Sequence, residues 1–110
     1  MFKGGMGNLN QLMKVAKQLQ AQAAKIKEEI ENKEFEGTAG GGAVKVVAKG
    51  SGEIVSVEIS EDLIKSGDRE MIQDLIVVAA NQALKNGREE LAKELGKVTG
   101  GLGIDIGGLF

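Results

Sequence analysis

The sequence has no histidine, no cysteine, no tyrosine, no tryptophan and no proline. Each absence excludes something. Without histidine the commonest general base and the commonest metal ligand are gone. Without cysteine there is neither a disulfide framework nor a thiol nucleophile. With tyrosine missing as well, catalytic chemistry is left to Asp, Glu, Lys, Ser and Thr, and neither an enzyme nor a metal or cofactor site is expected. Three phenylalanines are the only aromatics. They form no stripe on which bases could stack, which argues against recognition of RNA or single strands by that route. Long hydrophobic runs are also lacking. The longest uncharged, mainly apolar stretch is Leu75 to Leu84, too short to span a bilayer. The opening Met1-Phe2-Lys3-Gly4-Gly5 has no apolar core of a signal peptide. A cytoplasmic protein without membrane segments is the expectation.

What is present is one domain's worth of chain, 110 residues with a net charge of −2. A large-hydrophobe inventory this thin gives a monomer a modest core, and a dimer interface would add burial. The charge is segregated. Residues 1–27 hold Lys3, Lys14, Lys17, Lys25 and Lys27 and no acid, so that segment is +5 and the rest of the chain −7. Such asymmetry marks a local anion-binding surface on an acidic protein.

Along the chain, residues 1–7 are Gly-rich and expected to be flexible. A long helix is predicted from Asn8, a suitable N-cap, to about Lys33. Its apolar positions Leu9, Leu12, Ala16, Leu19, Ala23, Ile26 and Ile30 alternate in steps of three and four, a heptad seam. At 1.5 Å per residue the helix is about 39 Å long and overhangs any core this chain can build. The seam serves an intermolecular coiled coil, packing on the chain's own sheet, or both at different ends. Three strand segments follow: Phe35–Ala39, Ala43–Lys49 with Val44, Val46 and Ala48 on one face, and Ile54–Ile59 with Val55, Val57 and Ile59 inward. Gly40–Gly42 and Gly50–Gly52 supply the turns. After a possible helical turn at Ser60–Ile64, Asp68 is placed to cap a second long helix, more buried than the first, which Asn86-Gly87 stops or kinks. Residues 97–110 form a Gly-rich tail carrying Val98, Leu102, Ile104, Ile106, Leu109 and Phe110. The class is α+β: long helix, three-stranded antiparallel meander, long helix, in a single domain over 1–110.

Lys14, Lys17 and Lys25 fall within an arc of about 80° on a helical wheel, opposite the heptad seam. A duplex's phosphates fit such a face, helped by Asn10, Gln18 and the small Ala21; alternatively it is the ordinary solvated face of an amphipathic helix. The Gly-rich segments are not nucleotide loops. Gly42 leads into strand-forming Ala43-Val44, Gly96-Lys97 is followed by Val98, and Gly101-Leu102-Gly103 lacks the third glycine of a dinucleotide motif. Glu61, Asp62, Asp68, Glu70 and Asp74 are accounted for as helix N-terminal acids. No small-molecule substrate is expected.

Four segments in order carry a family resemblance: Phe2-Lys3-Gly4-Gly5-Met6-Gly7-Asn8, Gly40-Gly41-Gly42-Ala43-Val44-Lys45-Val46, Asp74-Leu75-Ile76-Val77 through Ala80-Asn81-Gln82-Ala83-Leu84, and Gly96-Lys97-Val98-Thr99-Gly100-Gly101-Leu102. They resemble the YbaB/EbfC family of nucleoid-associated proteins over essentially the full length. The resemblance implies a homodimer on a shared β-sheet with long helices projecting as arms. It implies binding to double-stranded DNA with little sequence preference, altered DNA conformation, effects on gene expression, and a place on the nucleoid. The implied DNA-facing parts are the first helix and the C-terminal part of the second long helix. With charge as the guide, these assign Lys14, Lys17, Lys25, Lys27, Arg88, Lys93 and Lys97 to DNA. Leu9, Leu12, Leu19, Ile26, Val44 and Val46 are assigned to dimer formation or packing. The family commonly has proline after the third strand and in the tail; here Ser60-Glu61 and Ile106-Gly107 stand there. The alternative function is a protein-interaction module, in which the heptad seam and the apolar tail dock a partner.

Overall fold

A computed structural model describes residues 2–100. Helix α1 (Phe2–Asn32) leads into strands β1 (Glu34–Ala39), β2 (Val44–Lys49) and β3 (Ile54–Ile59), then a short helix α2 (Glu61–Ser66) and a long helix α3 (Arg69–Gly100). The order is helix, three-stranded antiparallel meander, helix, with the sheet in the order β1-β2-β3. Asn8, expected to cap the first helix, lies inside it. Glycine weakens a helix by about 1 kcal/mol per residue without breaking its hydrogen-bond ladder, and with no proline present nothing stops the helix short of Phe2.

The meander is set by alternation and by glycine. Val44, Val46 and Ala48 are fully buried on one face of β2, as period two requires. Gly40, Gly41 and Gly42 link β1 to β2 with φ of 63°, 67° and 94°, a backbone that side-chain-bearing residues avoid. α3 covers that apolar face through Ala79 and Ala83, both fully buried. The core is made of small residues, with Ala39 and Leu63 completing it, so the helix and sheet come very close. A Cβ on Gly37 would stand 2.0 Å from the carbonyl oxygen of Ala79, and one on Gly50 2.0 Å from that of Ile30.

Two side chains cap helices, Ser60 at α2 and, as expected, Asp68 at α3. The Ser60 hydroxyl accepts from the Leu63 N–H at 3.2 Å, and an Asp68 carboxylate oxygen accepts from the Met71 N–H at 3.1 Å. Asn86-Gly87 does not stop α3; the helix runs through to Gly100. Gly87 is instead a contact residue, where a Cβ would meet the Phe35 ring at 3.3 Å and the Gly50 backbone at 3.4 Å. The inward assignment of β3 holds for Ile59, which is half-buried against the core, and is corrected for the other two residues. Val55 and Val57 are 46% and 44% exposed, because α3 lies over β1 and β2 and leaves β3 uncovered.

The molecule is far from spherical. Its radius of gyration is 21.0 Å and its extents are 77 × 20 × 17 Å, against about 13–14 Å for a compact chain of this length. The cause is an antiparallel helix pair. Where α1 reaches the sheet, Ile30 is buried. α3 leaves the sheet alongside it, so that Lys33 pairs with Glu90 at 3.8 Å, and Ile26, Glu29 and Ile30 line a groove with Glu90 and Glu94.

Candidate nucleic-acid interface

The heptad seam divides into two parts. Near the sheet, Leu19, Ala23 and Ile26 are half-buried and Ile30 is buried, so this part packs the helix on its own chain. Farther out, every described side chain from Leu9 to Gln18 is exposed, with Leu9 at 56% and Leu12 at 65%. Among the described residues nothing covers the outer half of α1, which extends as an arm. Val44 and Val46 belong to the intrachain core and are closed to any partner.

With the seam turned toward α3, Lys14, Lys17 and Lys25 point away from it. All three are exposed, as is Lys27 nearer the seam. Among the described residues none of these four has a carboxylate partner, whereas Lys33, Lys45, Lys49, Lys85 and Lys97 each pair with a glutamate. These four cations of α1 are therefore available to a ligand, whereas those five are neutralised in place. Lys45 shows the contrast. Its ammonium donates to Glu36 at 2.9 Å and lies 3.6 Å from Glu58. The Glu36 hydrogen bond first, then the charges of Glu36 and Glu58, raise its pKa above the ordinary 10.5.

The three α3 cations are less uniform. Arg88 and Lys93 are exposed and unpaired among the described residues, but five residues of helix turn them about 140° apart. Lys97 is tied to Glu94 at 3.1 Å. Glu89, Glu90 and Glu94 are interleaved with them, so this stretch of α3 carries no net charge. The structure thus brings the α1 lysines into one row and leaves the α3 cations dispersed.

Two features escaped the sequence reading. Gln82 and Asn86, four residues apart on α3, close the outer edge of β1. The Thr38 N–H donates to the Gln82 side-chain oxygen at 2.9 Å, and the Asn86 amide donates to the Glu36 carbonyl at 2.8 Å. Free sheet edges invite pairing, and this one is blocked. The β3 edge has no such cover among the described residues. The bond from the Ser60 N–H to the Ala43 carbonyl at 2.8 Å sets the alternation of the ladder, so Val57 and Ile59 direct their backbone groups outward. Amide side chains at i and i+4 on a buried helix are the only sequence signal for the first feature. The second depends on where α3 lands.

The chain is similar to known proteins over nearly its whole length. The model of the YbaB/EbfC DNA-binding family matches residues 6–102. The chain is 48% identical to a nucleoid-associated protein of Thermoanaerobacter pseudethanolicus, covering 99% of this chain and 96% of that protein. It is 52% identical to one of Clostridium novyi, covering 92% and 89%. The fold is similar to the crystal structure of an uncharacterized protein, HP0035, from Helicobacter pylori, with a TM-score of 0.58, 26% identity, and coverage of 73% of this chain and 84% of that one. A basic arm on an acidic α+β body, with this likeness across nearly the whole length, assigns the chain: it belongs to the YbaB/EbfC DNA-binding family.

Proposed function

We propose that the protein is a nucleoid-associated homodimer, a single functional domain that holds double-stranded DNA through the phosphates with the α1 arms. The observation that carries this is the row of exposed, unpaired Lys14, Lys17 and Lys25, with Lys27 beside it, on a stretch, residues 1–27, without acids. Arg88, Lys93 and Lys97 make auxiliary contacts along α3. Lysine is a point-charge phosphate ligand, and no residue set on the arm is suited to reading base edges, so sequence preference is weak. The open β3 edge with exposed Ile54, Val55 and Val57 supports the dimer: a second copy adding strand to strand there would satisfy the outward backbone groups of Val57 and Ile59 and bury apolar surface a small core leaves over. Two arms on one duplex constrain its path, which is the route to a change of DNA conformation and of gene expression.

Fluorescence anisotropy of a labelled duplex over a salt series tests the proposal. Binding weakens linearly in log salt, and the Lys14→Gln/Lys17→Gln/Lys25→Gln variant lowers the slope by about 2.7 for each engaged arm, at about 0.9 per phosphate. An unchanged slope sinks the assignment. A second reading is favoured by the exposed Leu9 and Leu12: the arm as a docking helix for a protein partner. In that case the same triple variant keeps its partner while a Leu9→Ser/Leu12→Ser variant loses it.

A further inference from the structure

The lysine row of α1 ends abruptly. Glu28 is exposed and falls inside the arc of Lys14, Lys17 and Lys25, one turn and about 4.5 Å of helix rise beyond Lys25. Nothing in the structure pairs it: among the described residues no lysine or arginine lies within bridging distance of Glu28, Glu29 or Glu31. From residue 28 to residue 36 the chain carries Glu28, Glu29, Glu31, Glu34 and Glu36 against Lys33 alone, and Lys33 is engaged by Glu90. Across the groove Glu90 and Glu94 of α3 are engaged by Lys33 and Lys97 and do not change that balance. The arm is thus cationic over one length and anionic over the next, with the change of sign falling at the root, where α1 meets α3 and the sheet.

We infer that Glu28 and Glu31 form an electrostatic stop that confines the duplex to the outer arm and holds its phosphates away from the sheet and the arm root. This rests on the DNA-holding role proposed for the arm and specifies where on it the duplex lies. A phosphate moving inward from Lys25 meets a carboxylate one turn later on the same face, and repulsion between exposed like charges rises steeply at such separations. Lys33, the one cation of residues 28–36, cannot offset it, because it is already paired. The stop also explains why a protein of net charge −2 can hold a polyanion: attraction and repulsion act on separate segments of one helix, so the body's acids orient the complex instead of abolishing it. A duplex kept off the root leaves the open β3 edge free for a second copy.

The chain has no cysteine, so a single introduced thiol carrying a photo-crosslinker reports position without interference. Gln18→Cys stands beside the lysine row, and Asn32→Cys lies on the same face one turn beyond Glu28, about 21 Å further along the helix. Both sites are exposed. The expected result with a labelled duplex is crosslinking at Gln18→Cys and none at Asn32→Cys, with crosslinking at Asn32→Cys appearing once Glu28→Gln and Glu31→Gln are added. The same pair of substitutions in the cysteine-free protein tightens binding about fivefold or more at low salt. Glu70→Gln/Asp74→Asn, an equal change of net charge at the start of α3, leaves the affinity within twofold of the parent. Crosslinking at Asn32→Cys with Glu28 and Glu31 intact, or equal tightening by the two charge-matched pairs, overturns the stop while leaving the arm as the DNA-holding element. No crosslinking at Gln18→Cys overturns the arm itself.

Discussion

Gly37 is the position where the packing of this fold is most exposed to test. It lies in β1 beneath α3 and is buried. A Cβ there would stand 2.0 Å from the Ala79 carbonyl oxygen and 2.5 Å from the Ala83 nitrogen, where ordinary contact begins at 3.4 Å. Both obstructing atoms are helix backbone, so no side chain can rotate out of the way. Gly37→Ala must lift α3 off the sheet by about 1.4 Å, loosening the contacts of Val44, Val46, Ala79 and Ala83 together. The cost belongs at the upper end of overpacking, about 3 kcal/mol. At about 4–8 °C per kcal/mol for a domain near this size, the melting temperature falls by about 12–24 °C. Gly41→Ala is the control. Its φ is 67° with open space around it, so the cost is backbone strain alone, about 1 kcal/mol. Thermal melts of both variants and the parent, at one fixed protein concentration, give the comparison. If Gly37→Ala melts no lower than Gly41→Ala, close helix–sheet approach is not what glycine provides at that position.

Two further outcomes are expected. Val57→Lys adds charge to an exposed edge, so the circular dichroism spectrum is kept while sedimentation equilibrium shows loss of the dimer; retention of the dimer mass rules out β3 as the interface. The Lys45 pKa is raised by Glu36 and Glu58, so the stability the ammonium contributes is full below pH 10.5 and is lost as pH climbs through the raised value. Urea midpoints taken from pH 9 to 12 should therefore fall more for the parent than for Lys45→Met, and parallel curves would show that the carboxylates are not what holds the proton.

The element order was legible in the sequence because its causes are local. Period two marks Val44, Val46 and Ala48, period three-and-four marks Leu19, Ala23, Ile26 and Ile30, and the cap Asp68 acts on an N–H group three residues away. Turn glycines at 40–42 could be read for the same reason. The lysine row was equally visible, since a helix converts spacing in sequence into direction on its surface.

What the sequence did not disclose depends on which element covers which. β3 has the same alternation as β2, yet β2 is buried and β3 stands exposed, because α3 has width enough for two strands and settles on β1 and β2. Gly87 had the chemistry of a helix stop and became a contact point, because Phe35 and Gly50 approach it there. The heptad seam reads as continuous, but its two halves differ in fate: the half near the sheet meets α3, and the outer half meets nothing described. By itself the sequence determined the elements, the charge of each segment and the absence of the side chains that catalysis favours. Only the tertiary structure decided which lysines are paired and which sheet edge is open, because these follow from contacts between residues as distant in sequence as Lys33 and Glu90.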